Sequence, residues 1–573
     1  MTKHSTAHYF LEGMVDAGIE YLFANFGTDH VSIIEELANW DKAGRKHPEV
    51  ILCPHENVAM HMAGGYAWMT GHGQAVMVHV DAGTANAAMG MHNLFRARLP
   101  VFLMAGKAPY TVHGELPGSR DNYVHFVQDP FDIAGLVRPF SKWEYNLPSG
   151  VIVKEVLQRG AAVMQSDPPG PVYMTLPRET LAETWDDSAI ATFSQKRYGP
   201  VTAGGTDTPR ARAIADAILK AKNPIAVTSY LGRKEEAVAV LDEFARTCGI
   251  KVFEYSPCYL SMPHDSPCFG GFDPTPAIPT ADVGLLLDVD VPWLPKYIAD
   301  NPNLRWLQID VDAIKKDLPV WGFPAEVRVE GDCATVLGQV LEIIRAEATP
   351  AFKAAVAARM AEFERVQQER MKAIAEAGAK PGEKNAINPD FLCAQLNKFI
   401  RPQDVIMNEA VRNAPSVLNH ISRTQGGTLM GLPGSGLGYS GGTALGVKLA
   451  KPDVNAIQMV GDGGYHFSNP TAVYAVAQQY KLPILTVVFD NGGWKAVKEA
   501  VLRVYPDGSA KAAQNFQSRL EGQQRRFEQV AQAFGAHGEC VVDPQELEAA
   551  IARAMSALAK GQAAVLNVQV TPQ

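Results

Sequence analysis

A chain of 573 residues is long enough for three or four domains. Its 47% hydrophobic and 20% charged residues exclude a mostly disordered polypeptide. A net charge of −9 argues against a general nucleic-acid binder, which needs a basic surface to displace counterions.

The first unit is expected over residues 1–185. Residues 7–17 read as a helix and 21–25 as a short strand ending at Gly27. Strands follow at 50–53, 74–80 and 101–105, with an Ala- and Met-rich helix at 57–70. Short apolar strands alternating with helices predict a parallel α/β sheet. A polar break with Gly204 and Gly205 separates a central unit, 200–350, with strands at 225–229, 251–254, 283–287 and 305–309. An Ala- and charge-rich helical linker occupies 351–385 and is too short for sustained heptads. The last unit, 386–573, has strands at 405–408, 456–460, 484–489 and 564–569. The expectation is an α/β protein of three doubly wound parallel-sheet domains. The two outer ones could be alike, which spacing alone does not decide.

The seven cysteines are scattered, with no C-x-x-C pair, so neither a disulfide framework nor a zinc cluster is expected. No basic-then-apolar leader is visible, and no apolar run is long enough to span a bilayer. The expectation is a cytoplasmic protein that binds neither membrane nor nucleic acid.

Chemistry concentrates in Gly-rich turns after strands. Val460-Gly461-Asp462-Gly463-Gly464 follows one buried strand, and Phe489-Asp490-Asn491-Gly492-Gly493 ends the next. Carboxyl ends of parallel strands form the ligand crevice of an open sheet. Asp462 and Asn491 can there offer hard oxygens to one Mg²⁺, while the glycines let backbone N–H groups approach phosphate. A helix expected near Pro470 starts too late to help.

This pair of turns resembles the signature of the thiamine diphosphate enzymes of the acetolactate-synthase-like group. The family's usual first Asn is replaced here by Asp490. The resemblance implies metal ligands Asp462, Asn491 and the backbone carbonyl of Gly493, with Gly461, Gly463 and Gly464 along the diphosphate. Pro54-His55-Glu56 and the helix to Ala67 are similar to the family's pyrimidine-domain pattern, which assigns Glu56 to the cofactor's N1′ and makes it the catalytic residue. His61 on that helix reads as a packed side chain. Gly434 to Gly446 resembles the family's Gly-rich stretch. It implies Leu437 as the wedge between the cofactor rings, with backbone groups of Ser435 and Leu437 at the pyrimidine edge. Asn408-Glu409-Ala410 is similar to a further cofactor loop, and 81–86 to the family's G-P-G-A-x-N turn.

The resemblance spans nearly the whole chain and names the units pyrimidine-binding, central and diphosphate-binding. It implies thiamine diphosphate and Mg²⁺ as cofactors and a small carbonyl compound as substrate. In the family the glutamate of one subunit meets the diphosphate site of its partner, so an obligate homodimer is expected, often paired into a homotetramer. The reaction expected is that of a 2-oxo acid decarboxylase or carboligase. An acyloin or 2-hydroxyacyl-CoA lyase is the alternative. A non-catalytic regulator is a third reading, opposed by the intact Glu56, Asp462 and Asn491. Substrate-facing candidates are Thr28, Asp29 and His30 in the early turn, His113 and Gln128 in the next loop, and Trp494 after the metal turn.

Overall fold

In the computed structural model, which describes residues 3–299, 301–520 and 524–572, the apolar runs form three six-stranded sheets. Every strand in them is parallel to its neighbours. The first sheet runs, in spatial order, Glu49–Leu52, Tyr21–Ala24, Gln74–Val78, Val101–Lys107, Val172–Pro177 and Glu144–Asn146. The last runs Leu429–Met430, Val405–Glu409, Ala456–Gly461, Leu485–Asp490, Ala564–Gln569 and His537–Val541. Ranked by chain order, both read 2-1-3-4-6-5. The two outer units therefore share one topology. The central sheet, ranked the same way, reads 3-2-1-4-5-6 and begins with Pro224–Thr228. Helix Pro350–Gly378 connects the central and last sheets, its start fixed by the Thr349 hydroxyl accepting the Phe352 N–H.

The outer units are packed on each other through helices Glu56–Thr70 and Ser440–Ala450. Both are apolar nearly all round, and one hydrophobic core runs through them from Phe23 to Ile484. Glycines set how closely they cross. A Cβ at Gly446 would lie 2.0 Å from the Met62 carbonyl oxygen, and one at Gly65 would lie 2.3 Å from that of Thr443. Both obstacles are backbone, so a side chain there must push the helices apart. Gly446→Ala is expected to cost about 1–3 kcal/mol, seen as a lowered midpoint of thermal unfolding. An unchanged midpoint would show that the crossing yields freely.

At the carboxyl edge of the central sheet a cavity of 560 Å³ opens, with Arg98 and Asp290 in its wall. The Arg98 guanidinium enters from the first unit, 2.9 Å from Asp290 and 3.3 Å from Asp288. Lys315 lies 2.6 Å from Asp310 in the same buried network. No helix among the described residues is long and apolar enough to cross a membrane. All seven cysteines are free thiols.

Candidate active site

The diphosphate-type site stands at the carboxyl edge of the last sheet. Strand Ala456–Gly461 passes directly into helix Asp462–Phe467, with Asp462 in its first turn. The helix thus begins at the motif itself and not only at Pro470, where a second helix, Pro470–Gln479, starts. Its N-terminus brings backbone N–H groups and a partial positive charge to the glycine turn, as an anion needs.

Asp462 is buried. Its carboxylate accepts the Gly463 N–H at 2.7 Å and the Gly493 N–H at 2.8 Å. The Asn491 amide oxygen lies 3.2 Å from that same Gly493 nitrogen. Two side-chain oxygens, from turns at the ends of two neighbouring strands, thus converge on one N–H. Gly492 and Gly493 bend the chain to this end with φ of 84° and 146°, a region closed to most side chains. Burial, with the Asp490 charge nearby, pushes the Asp462 carboxyl up to about 6 against the lowering effect of its N–H donors.

These features fit a diphosphate held through Mg²⁺. The donors are hard oxygens, and Mg²⁺ is characteristically held by one or two protein oxygens with phosphate and water completing its shell. Among the described residues no cluster of three His, Cys, Asp or Glu offers a rival metal site. Asp490, the unexpected residue, is buried, accepts from Arg525 Nε at 2.8 Å and leaves its Oδ2 without a partner among the described residues. Arg525 supplies the countercharge for this replacement. Trp494 sits against the glycine turn, with its Nε1 2.3 Å from where a Cβ of Gly463 would stand.

Glu409, in the stretch similar to a cofactor loop, turns its side chain into the protein. Its carboxyl is fully buried and accepts from the Ser440 N–H at 3.0 Å, from the Ser440 hydroxyl and from the Gly438 N–H. It braces the Gly-rich loop from behind. Burial raises it to about 7, partly offset by these donors. Ser440 accepts in turn from Gln458 Nε2 at 2.9 Å. Asn408 and Ala410 flank Glu409 and are also buried. In the braced loop Ser435 is exposed with φ of 61°, and Leu437 is half-buried.

The second half of the site lies on the first sheet. Glu56 opens helix Glu56–Thr70, capped by His55 Nδ1 accepting the Asn57 N–H at 3.1 Å. Glu56 is 7% exposed and accepts from Asn86 Nδ2 at 3.1 Å. Asn57 reaches the last unit, donating to the Gly438 carbonyl at 3.2 Å. His61 is a packed side chain, as expected, between Asn57 O at 2.8 Å and Asn93 Nδ2 at 3.1 Å.

The substrate candidates divide. Gln128 lies 3.1 Å from His79, a residue the sequence reading passed over. Asp29 and His30 do not face outward but are buried behind His79. Thr28 is exposed at the start of their turn, and His113 is exposed on a separate loop. A cavity of 510 Å³ opens at this edge, lined in part by Lys107, Tyr110, Arg120 and Asn146.

A three-sheet α/β protein with a glycine turn bearing Asp462 and Asn491 on one outer unit and a shielded carboxylate on the other fits the architecture of a thiamine-dependent enzyme. Comparison with known proteins places the chain. Residues 4–136 match the thiamine pyrophosphate enzyme N-terminal TPP-binding domain, and residues 417–568 match its C-terminal TPP-binding domain. The chain belongs to the thiamine diphosphate enzymes of the acetolactate-synthase-like group. It is 24% identical to the acetolactate synthase large subunit of Haemophilus influenzae, covering 97% of this chain and 93% of the relative. It is 23% identical to benzoylformate decarboxylase of Pseudomonas aeruginosa, covering 97% of each. Among solved structures, the thiamine diphosphate-dependent 4-hydroxybenzoylformate decarboxylase of Rhodococcus jostii superposes over 100% of both chains, with a TM-score of 0.77 and 18% identity.

Proposed function

We propose that this enzyme is an Mg²⁺-dependent 2-oxo acid decarboxylase or carboligase, assembled at least as a homodimer. Thiamine diphosphate, when bound, supplies the electron sink that lets the carbonyl carbon of a 2-oxo acid lose CO₂. Asp462, Asn491 and the Gly493 carbonyl would hold the cation. The Gly464 N–H, and that of Gly463 once Asp462 turns to the cation, would meet the diphosphate, and Leu437 would press between the cofactor rings. Glu56, shielded from bulk water, would exchange a proton with the pyrimidine.

The observation that carries the reaction class is His79. It is an ionisable side chain, 25% exposed, at the same sheet edge as Glu56. It immediately precedes helix Val80–Ala97, which also carries Asn86, the partner of Glu56. A decarboxylase needs a group there to return a proton to the carbon that has lost CO₂, and His79 suits that work. A homodimer is supported by surface that a single chain leaves open. Helix Lys495–Val504 buries none of its residues, and Phe126, Val127 and Phe131 stand exposed on the loop bearing Gln128.

The test is a screen of aliphatic and aromatic 2-oxo acids with thiamine diphosphate and Mg²⁺, scoring CO₂ and product. Aldehyde or acyloin formed with CO₂ supports the proposal. Cleavage of acyloins or 2-hydroxyacyl-CoA esters without CO₂ release would overturn it in favour of a lyase.

A further inference from the structure

Asp29 has no obvious reason to be buried. It sits in the 3-10 turn Thr28–His30 at the end of the first strand, only 1% exposed. Its Oδ1 lies 2.5 Å from His79 Nδ1, and its Oδ2 accepts the Val80 N–H at 3.3 Å. His79 Nε2 faces Gln128 Oε1 at 3.1 Å. Asp29 can only accept, so Nδ1 carries a proton; as Gln128 is placed, with Oε1 toward the ring, Nε2 carries one too, whereas a neutral ring would need the Gln128 amide turned over.

The backbone is shaped around this pair. A Cβ at Gly106 would stand 1.4 Å from Asp29 Oδ2, and one at Gly27 would stand 2.0 Å from His79 Nδ1. Two glycines from different strand ends make the room that the carboxylate and the ring occupy. Behind them His30 Nδ1 accepts the Gly27 N–H at 3.0 Å, which places its own proton on Nε2, 3.4 Å from Asp29 Oδ2. Burial pushes His30 down, and its Nε2 makes no hydrogen bond to Asp29.

We infer that Asp29 is a positioning residue, which aims His79 at the substrate and holds it in its proton-donating form. This rests on the reading of His79 given above. The geometry is that of a carboxylate orienting an imidazole, with Gln128 as the cap on the working nitrogen. Gln128 must swing aside for substrate, and its half-buried place on a short loop segment allows that. In the step itself the C–COO⁻ bond breaks and CO₂ leaves. The electron pair stays on the carbon and takes the proton from His79 Nε2. The ring becomes neutral, Asp29 remains ionised, and water at the exposed edge returns the proton.

The charges around His79 agree. The Asp29 hydrogen bond raises the ring above the ordinary histidine range and outweighs its partial burial. Burial works against the ionised Asp29, yet the hydrogen bond from His79 leaves that carboxyl below its ordinary value. The other ionisable groups facing the pair are His30 on the turn, Asp81 on the following helix and His125 beside Gln128. His125 is itself pushed down by burial and by the nearby Arg178.

The sign follows directly. The protonated ring is present below its pKa and lost as pH rises through it, so this proton transfer fails on the alkaline side. Removing the Asp29 charge lowers that pKa and moves the alkaline limb of kcat to lower pH.

Asp29→Asn in the full-length holoenzyme tests this, with His79 assigned by comparing ¹H–¹³C NMR spectra with His79→Gln. Expected are a His79 titration shifted to lower pH and an alkaline-side kcat lower by about tenfold or more, with the acid side little changed. An unshifted His79 titration overturns the inference. A shifted titration with an unmoved pH–rate profile would instead overturn the role given to His79. Should Asp29→Asn not fold, the wild-type protein still decides. His79 must titrate above the exposed histidines, and Gln128→Leu must shift it down by less than Asp29→Asn is expected to; a wild-type His79 titrating with or below them overturns the inference.

Discussion

Glu56→Gln is expected to slow turnover by about 10²–10⁴-fold while leaving cofactor binding intact. The glutamine fills the same volume in a site that is 7% exposed, and its amide oxygen can still accept from Asn86, 3.1 Å away in the wild type. The nearest cationic candidate, His55 Nδ1, lies 3.9 Å off, so no ion pair is broken at hydrogen-bond range. What the amide cannot do is carry a transferable proton. General acid–base groups contribute about 10²–10⁴-fold, and kcat should fall within that range. Thermal stabilisation by thiamine diphosphate with Mg²⁺ should match wild type, while deuterium exchange at the cofactor's C2 slows by a similar factor. Exchange at the wild-type rate would remove Glu56 from the mechanism.

Much of this was legible in the sequence because buried parallel strands are apolar on both faces. Val283–Leu287 stands where a continuous apolar run puts it, and Leu485–Asp490 where one nearly continuous run does. Edge strands carry no such signal. Leu429–Met430 has two residues, and Glu144–Asn146 is polar and partly exposed. Val172–Pro177 is interior, but it mixes in hydroxyls that find partners only through space, Tyr173 with Thr84 at 2.9 Å and Thr175 with Asn146 at 2.8 Å.

The site divides in the same way. Asp462 and Asn491 are readable because their turns must be glycine-rich and must end neighbouring strands. His79 is a single histidine after an apolar strand, with nothing local to mark it. Its meaning comes from Asp29, in a turn of another strand, and from Gln128, in a third segment. Asp29 and His30 were visible as substrate-facing candidates in the early turn, but burial reverses their direction, from facing substrate to backing His79. Glu409 likewise shows only as an acid at a strand end. Its contacts with Gly438 and Ser440 make it a brace for the cofactor loop.

Asp462→Asn is expected to weaken Mg²⁺-dependent cofactor binding by about a hundredfold or more. Asp462 is the one charged side chain in the proposed ligand set, and its two oxygens each accept a backbone N–H, from Gly463 and Gly493. An asparagine keeps one acceptor and turns a donor toward the other N–H. A buried donor left facing a donor costs about 1–3 kcal/mol. The Gly493 tie also positions Asn491, so the second ligand loosens with the first. Since 1.4 kcal/mol is a factor of ten, the loop penalty alone approaches a hundredfold before the lost charge is counted. Trp494 lies against Gly463, so quenching of its fluorescence during Mg²⁺ titration reports on this turn. The wild-type carboxyl is raised to about 6, chiefly by burial. Protons therefore compete with the cation, and affinity present above that pH falls as pH drops through it. The asparagine has no such proton to lose, so its weaker binding should be flat over the same range. Equal Mg²⁺ midpoints for the two proteins, or the same pH dependence in both, would show that Asp462 is not the cation's ligand.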